Sequence, residues 1–148
     1  MPRAVLLALS AVALLGGCRS DDREPIPSAC RAGERDVRAS LAGAPGRVEV
    51  DGTPLSGCLV KSSEPADIQE VGAVYLAVAA DLGAAAAEQP DGDEAVQLGY
   101  LIGAVRRGAD RTQGIHSELV RRLRQEAARV EGSSAAFARG ERAGRRTG

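Results

Sequence analysis

The chain has 148 residues and a formal net charge of −1 at pH 7. That length supports one domain with a modest core, and that charge gives no overall bias toward nucleic acid or away from anionic surfaces. Its aromatic residues are Tyr75, Tyr100 and Phe137 alone, too few for a base-stacking nucleic-acid module or a carbohydrate platform.

Met1 to Cys18 opens the chain with one positive charge, Arg3, and an apolar run from Ala4 to Leu15 broken only by Ser10. About 12 apolar residues are too few to cross a bilayer, which takes roughly 20. They match the apolar core of a signal peptide. The run closes on Leu15-Gly16-Gly17-Cys18. Leu-small-small-Cys in this place resembles the lipobox of bacterial lipoproteins. The resemblance covers residues 1–18 only and implies a diacylglyceryl group on the Cys18 sulfur, cleavage before Cys18, and further acylation of the new amine, as with palmitate. Two or three acyl chains hold a protein firmly, and one only marginally. The alternatives are an ordinary secretory signal that a cysteine happens to follow, and an uncleaved anchor.

Cleavage before Cys18 would leave 131 residues with a formal charge of −2. Cys30 and Cys58 then remain, and an even pair in an exported chain suggests a disulfide. Two separate thiols are the alternative. A two-cysteine metal site is not expected, because the single histidine, His116, is distant in sequence and no second cysteine pair exists.

Arg19–Ser28 is charged, holds Pro25 and Pro27, and has one large apolar residue, Ile26, so residues 18–28 read as a tether. Residues 29–63 read as a small cap on the helices. Within it, Glu34–Leu41 fits a short helix or strand with Val37 and Leu41 on one side. Arg47–Val50 alternates like a strand, Asp51-Gly52 is a tight hairpin turn, and Leu55–Val60 is expected as the returning strand.

The first long helix is expected over Glu64–Glu88. Ser62 or Ser63 would cap it, Pro65 suits its first turn, and Ile68, Val71, Tyr75, Val78 and Leu82 form its stripe. A membrane span over Val71–Ala87 is disfavoured by Asp81 and by the weak hydrophobicity of alanine. A second helical pattern runs from Asp91, capped through Glu94, to Val130. Gly108 and Gly114 weaken it, and a break near Gly114, with Ile115–Val130 folding back, is the favoured outcome. Gly99 and Gly103, four apart, are expected to allow close approach of the Ala79/Ala80/Gly83/Ala84/Ala87 surface of the first helix. Residues 132–148 are rich in Gly, Ser and Arg and read as a disordered basic tail, so removing them should leave stability nearly unchanged. The fold class expected is mainly α: a bundle or hairpin of two to three helices with a short β-hairpin or irregular cap. A single helix-rich domain would span residues 29–131, with its helices over 64–131.

No catalytic constellation is visible. His116 lies beside Ser117 and Glu118, but neighbours along a helix do not face one another. Asp91-Gly92-Asp93-Glu94 lacks the ligand ladder of a calcium loop. No cofactor and no metal are expected. Possible ligand or partner contacts are Tyr75, Tyr100 and His116, at a pocket between cap and helices, and Arg106, Arg107 and Arg111, where an acidic partner could dock. The default for those arginines is a solvated, salt-bridged face that includes a Glu118–Arg122 pair. The reading is therefore a lipid-anchored protein on the extracytoplasmic face of a cell membrane, non-enzymatic, with an envelope protein or anionic polymer as partner and no nucleic acid. A small-ligand binding module is the second reading and a secreted protein without lipid the third. Oligomeric state is left open.

Overall fold

Residues 93–109, DEAVQLGYLIGAVRRGA, put apolar or small side chains on almost every side of a helix, and such a helix is stable only when enclosed. A computed structural model, which describes residues 25–148 apart from residues 63 and 113, places this segment at the centre. Six α-helices and one two-stranded sheet are present among the described residues: α1 Glu34–Leu41, β1 Glu49–Val50, β2 Thr53–Pro54, α2 Leu55–Lys61, α3 Pro65–Glu88, α4 Asp93–Ala109, α5 Ile115–Glu126 and α6 Ala135–Thr147. The protein is mainly α, with more helices than the two or three expected. Helix α4 packs against α2, α3, α5 and α6. The leader, Cys18 and the start of the tether lie outside the described residues.

The cap follows its sequence up to the hairpin. A 3-10 turn at Ser28–Arg31 carries Cys30, and α1 buries Val37 and Leu41 as its spacing predicts. Asp51 and Gly52 both take positive φ, 45° and 74°, and close an antiparallel pair in the register Glu49↔Pro54, Val50↔Thr53. The return strand expected over Leu55–Val60 is instead α2. Pro54 starts that helix in extended backbone, and the helix buries Leu55, Cys58 and Leu59 on one side while Val60 points out. A two-residue return strand could not have covered these side chains. Cys30 and Cys58 lie at disulfide distance, with Cα atoms 5.2 Å apart, and tie the first turn to α2.

Helix α3 forms where expected, with Pro65 in its first turn and Ile68, Val71, Tyr75, Val78 and Leu82 buried. Ser62 does not cap it. Its hydroxyl donates to the Cys58 carbonyl at 2.7 Å and ends α2 instead. The capping box at Asp91 does not form either, because Gly92 takes the N-cap position with no side-chain bond. By length and composition α3 is the helix among the described residues long and apolar enough to cross a membrane. Its apolar stripe is nonetheless buried in the bundle, where it meets α1, α4 and α5.

The long helical pattern breaks at Gly114, which sits at φ 77°, ψ −115°, a backbone region that strains other residues. After the break α5 folds back and buries Leu119 and Leu123, with Ala127 and Val130 beyond its end. No apolar stripe is left exposed along Leu119–Val130.

The largest correction concerns residues 132–148. They form α6 instead of a disordered tail. Ser134 caps it, accepting from the Phe137 N–H at 2.9 Å while donating to the Pro90 carbonyl. Two glycines inside a short helix cost about 1 kcal/mol each, so α6 would not hold alone. Docking on α4 stabilises it. Gly140 stands against Val96, Gly144 against Tyr100 and Gly148 against Ala104, so the two helices run parallel in a constant register. From the other side, a Cβ at Gly99 would lie 2.1 Å from the Phe137 carbonyl oxygen, and one at Gly103 2.2 Å from that of Glu141. The close approach expected of Gly99 and Gly103 exists, but its partner is α6 and not α3. Gly83 of α3 meets the Glu126 carbonyl at the end of α5 instead.

Candidate functional site

Tyr75, Tyr100 and His116 come from three helices and all turn toward the cap. The Tyr75 hydroxyl donates to the Leu55 carbonyl at 3.0 Å, and burial pushes its pKa above the ordinary phenol range. Tyr100 is fully buried. Its oxygen accepts from the Val48 N–H at 3.1 Å and lies 3.0 Å from the Thr147 hydroxyl. Thr147 Oγ1 in turn bonds the Ala143 carbonyl, which can only accept, so Tyr100 is the donor to Thr147. One directed chain of hydrogen bonds thus runs from Val48, just before β1, through α4 to α6. His116 is buried, with Nε2 3.1 Å from the Leu59 carbonyl. A carbonyl only accepts, so the proton sits on Nε2. Nδ1 has no hydrogen-bond partner among the described residues. All three groups are spent on backbone atoms of the cap or on α6, and the two hollows described below are lined by other residues. Tyr75, Tyr100 and His116, expected to line a pocket between cap and helices, are buried among the described residues.

The three arginines at the end of α4 and just beyond it divide. Arg106 pairs with Glu141 of α6, and Arg107 donates to the Arg146 carbonyl. Both clamp α6, so neither is a free docking cation. Arg111 alone of the three is exposed without such a role. Further ion pairs fasten the same helix: Arg124 to Glu141 at 3.7 Å and Arg145 to Asp110 at 3.3 Å. Sequence reasoning passed over these pairs because it left residues 132–148 without structure.

An open concavity lies between α3 and α5. It measures about 300 Å³ and is walled by Ile68, Gly72, Ala73 and Leu76 of α3 and by Ile115 and Leu119 of α5. Ile115 is 46% exposed, the most exposed large apolar residue among those described. Gln69, Glu118 and Arg122 form the rim. Glu118 is fixed there by Arg121 at 2.7 Å and by Arg122 at 3.1 Å, which confirms the expected Glu118–Arg122 pair and adds a second arginine. The hydrogen bonds from Arg121 and then Arg122 lower the Glu118 pKa to about 2. A smaller hollow lies among Arg106, Ala109, Asp110, Ser117 and Val120. No group of three or more His, Cys, Asp or Glu residues placed to hold a metal ion occurs among the described residues.

No protein-family model matches the chain, and no curated protein or solved structure shows significant similarity to it. Its class is defined physically: a helical bundle wrapped around one buried helix, with a cystine-tied cap and an open apolar groove. No narrower family follows from these comparisons.

Proposed function

We propose that this is a lipid-anchored extracytoplasmic protein with a non-enzymatic structural or interaction role in the cell envelope. One observation carries the reading: the apolar leader ends in Leu15-Gly16-Gly17-Cys18, and the two remaining cysteines lie at bridging distance, as suits an oxidising compartment. An interaction role is favoured because the aromatic hydroxyls and the imidazole are engaged internally, while a groove and an arginine face stay open. Cys18→Ala should shift the protein from the membrane fraction to the soluble fraction. Retention of Cys18→Ala in membranes, or mass spectrometry showing an unmodified Cys18, would end the lipid reading.

A second reading has its own observation. An apolar groove of about 300 Å³ with a large aliphatic residue left in water suits a small apolar ligand or a partner side chain. Ile115→Glu should abolish binding of an apolar fluorescent probe at this groove while leaving the melting temperature unchanged. Undiminished probe binding would exclude the groove.

A further inference from the structure

The docking of α6 changes what its arginines are. On the helix, Ala136, Phe137, Gly140, Ala143 and Gly144 turn inward to α4, so Arg139, Arg142, Arg145 and Arg146 share the outward face. The acids near this face are already engaged: Glu141 by Arg106 and Arg124, Glu131 by Arg124, and Asp110 by Arg145. The guanidinium groups of Arg139, Arg142 and Arg146 are exposed and make no ion pair with the rest of the described chain. Arg111 lies at the same end, beyond the C-terminus of α4. The opposite sign is concentrated elsewhere. Helix α3 carries Asp67, Glu70, Asp81 and Glu88 and has no basic residue. The formal net charge of −1 thus conceals a separation of sign between two helices that pack on α4.

The chain's entry point lies near the basic end. Cys30 is tied to Cys58 in α2, and α2 reaches that end through Ser56, which donates to the Gly148 carbonyl, and through Leu59, which touches Gly108. Ile26, expected in the tether, is buried in the core, so eight positions separate Cys18 from the packed chain, a reach of at most about 28 Å.

We propose that the arginine face of α6 lies on the anionic phospholipid headgroups of the membrane that holds the chain, with α3 turned away. This rests on the lipid-anchor reading for its setting, but the binding itself needs no acyl chain. Phosphate headgroups take planar guanidinium donors well, and a basic residue near an anionic bilayer strengthens binding roughly fivefold. Three unpaired arginines on one helix face would together give about a hundredfold. The arginine stems and Ala135 and Ala138 between them let the helix lie flat at the headgroup level.

The test uses the full chain carrying Cys18→Ala, which no acyl group can hold to a vesicle. Sedimentation is compared between phosphatidylcholine vesicles and vesicles with one-third phosphatidylglycerol; the preference that Arg3 gives the leader for anionic bilayers is shared by the triple variant below and is subtracted with it. The proposal expects a large excess of binding to anionic vesicles. That excess should vanish in 1 M salt, where the Debye length falls to about 3 Å. It should drop about a hundredfold in the triple variant Arg139→Gln/Arg142→Gln/Arg146→Gln, whose unchanged melting temperature shows that the fold survives. Equal binding to both vesicle types, or an excess the triple variant retains, would overturn it. So would a preference for duplex oligonucleotide over anionic vesicles that the same variant abolishes. Failure of the lipid anchor alone is read separately, from the mass of the mature N-terminus.

Discussion

Gly144→Val should lower the melting temperature by about 10 °C or more, read by circular dichroism. Even the first added carbon, Cβ, would lie 2.1 Å from the Tyr100 carbonyl oxygen and 2.8 Å from the Ala104 nitrogen. Both are backbone atoms inside a helix and cannot turn aside, so the helices must part. Overpacking of this kind costs about 1–3 kcal/mol and more where nothing can yield. Parting also uncovers Phe137, which is 1% exposed, and breaks the hydrogen bond between Tyr100 and Thr147. For a chain of this size each kcal/mol is worth roughly 3–4 °C. Cutting the chain after Gly132 should act in the same direction and further, opposite to what a disordered tail would do. Gly72→Ala gives the contrast. Its added Cβ would meet only the flexible end of Leu119, at 3.5 and 3.6 Å, and alanine gains up to about 1 kcal/mol in a helix interior. If Gly144→Val and Gly72→Ala moved the melting temperature alike, the α4–α6 contact would be wrong.

Cys30→Ala/Cys58→Ala should cost about 3–4 kcal/mol, the loop-closure value for a bridge between residues 28 apart, and lower the melting temperature by about 10 °C. The loss should be felt first in the cap. Its hairpin has two residues in each strand, and a hairpin that short is marginal in water. Hydrogen exchange should therefore quicken between Ile26 and Lys61 before it quickens in α4. Both cysteines are buried, so reductant alone should act slowly on the folded protein. Peptide mapping under non-reducing conditions should recover Cys30 joined to Cys58, and recovery of two free thiols would remove this tie.

Much of the bundle was legible because its signals are local. The Ile68–Leu82 stripe needs only helical spacing, and Pro65 marks where α3 begins. Asp51-Gly52 carries its own turn chemistry, and Gly114 marks a break that glycine alone makes easily. Leu55–Val60 misled because six apolar and small residues suit a buried strand or a short helix equally, and only the surface to be covered chooses between them. Capping at Ser62 failed because the Cys58 carbonyl takes its hydroxyl, and at Asp91 because Gly92 holds the N-cap position.

The candidate site was less legible. Tyr75, Tyr100 and His116 were rightly brought near the cap, yet whether they face a cavity or a carbonyl depends on packing within an ångström or two. The α3–α5 groove was not foreseen, since it arises from the gap that Gly72 and Ala73 leave opposite Ile115 once both helices are placed.

By itself the sequence determined the helical class, the position of the first turn and the break, the cysteine pairing, and the leader motif that points to an anchor. Each rests on residues within a few positions of one another or, for the cysteines, on simple counting. The tertiary structure alone decided the fate of residues 132–148. Their glycines argue against a helix when taken in isolation. They argue for one only when Gly99 and Gly103 stand opposite, because two glycine-lined helices can bring their backbones into contact and recover in packing what each loses in chain entropy.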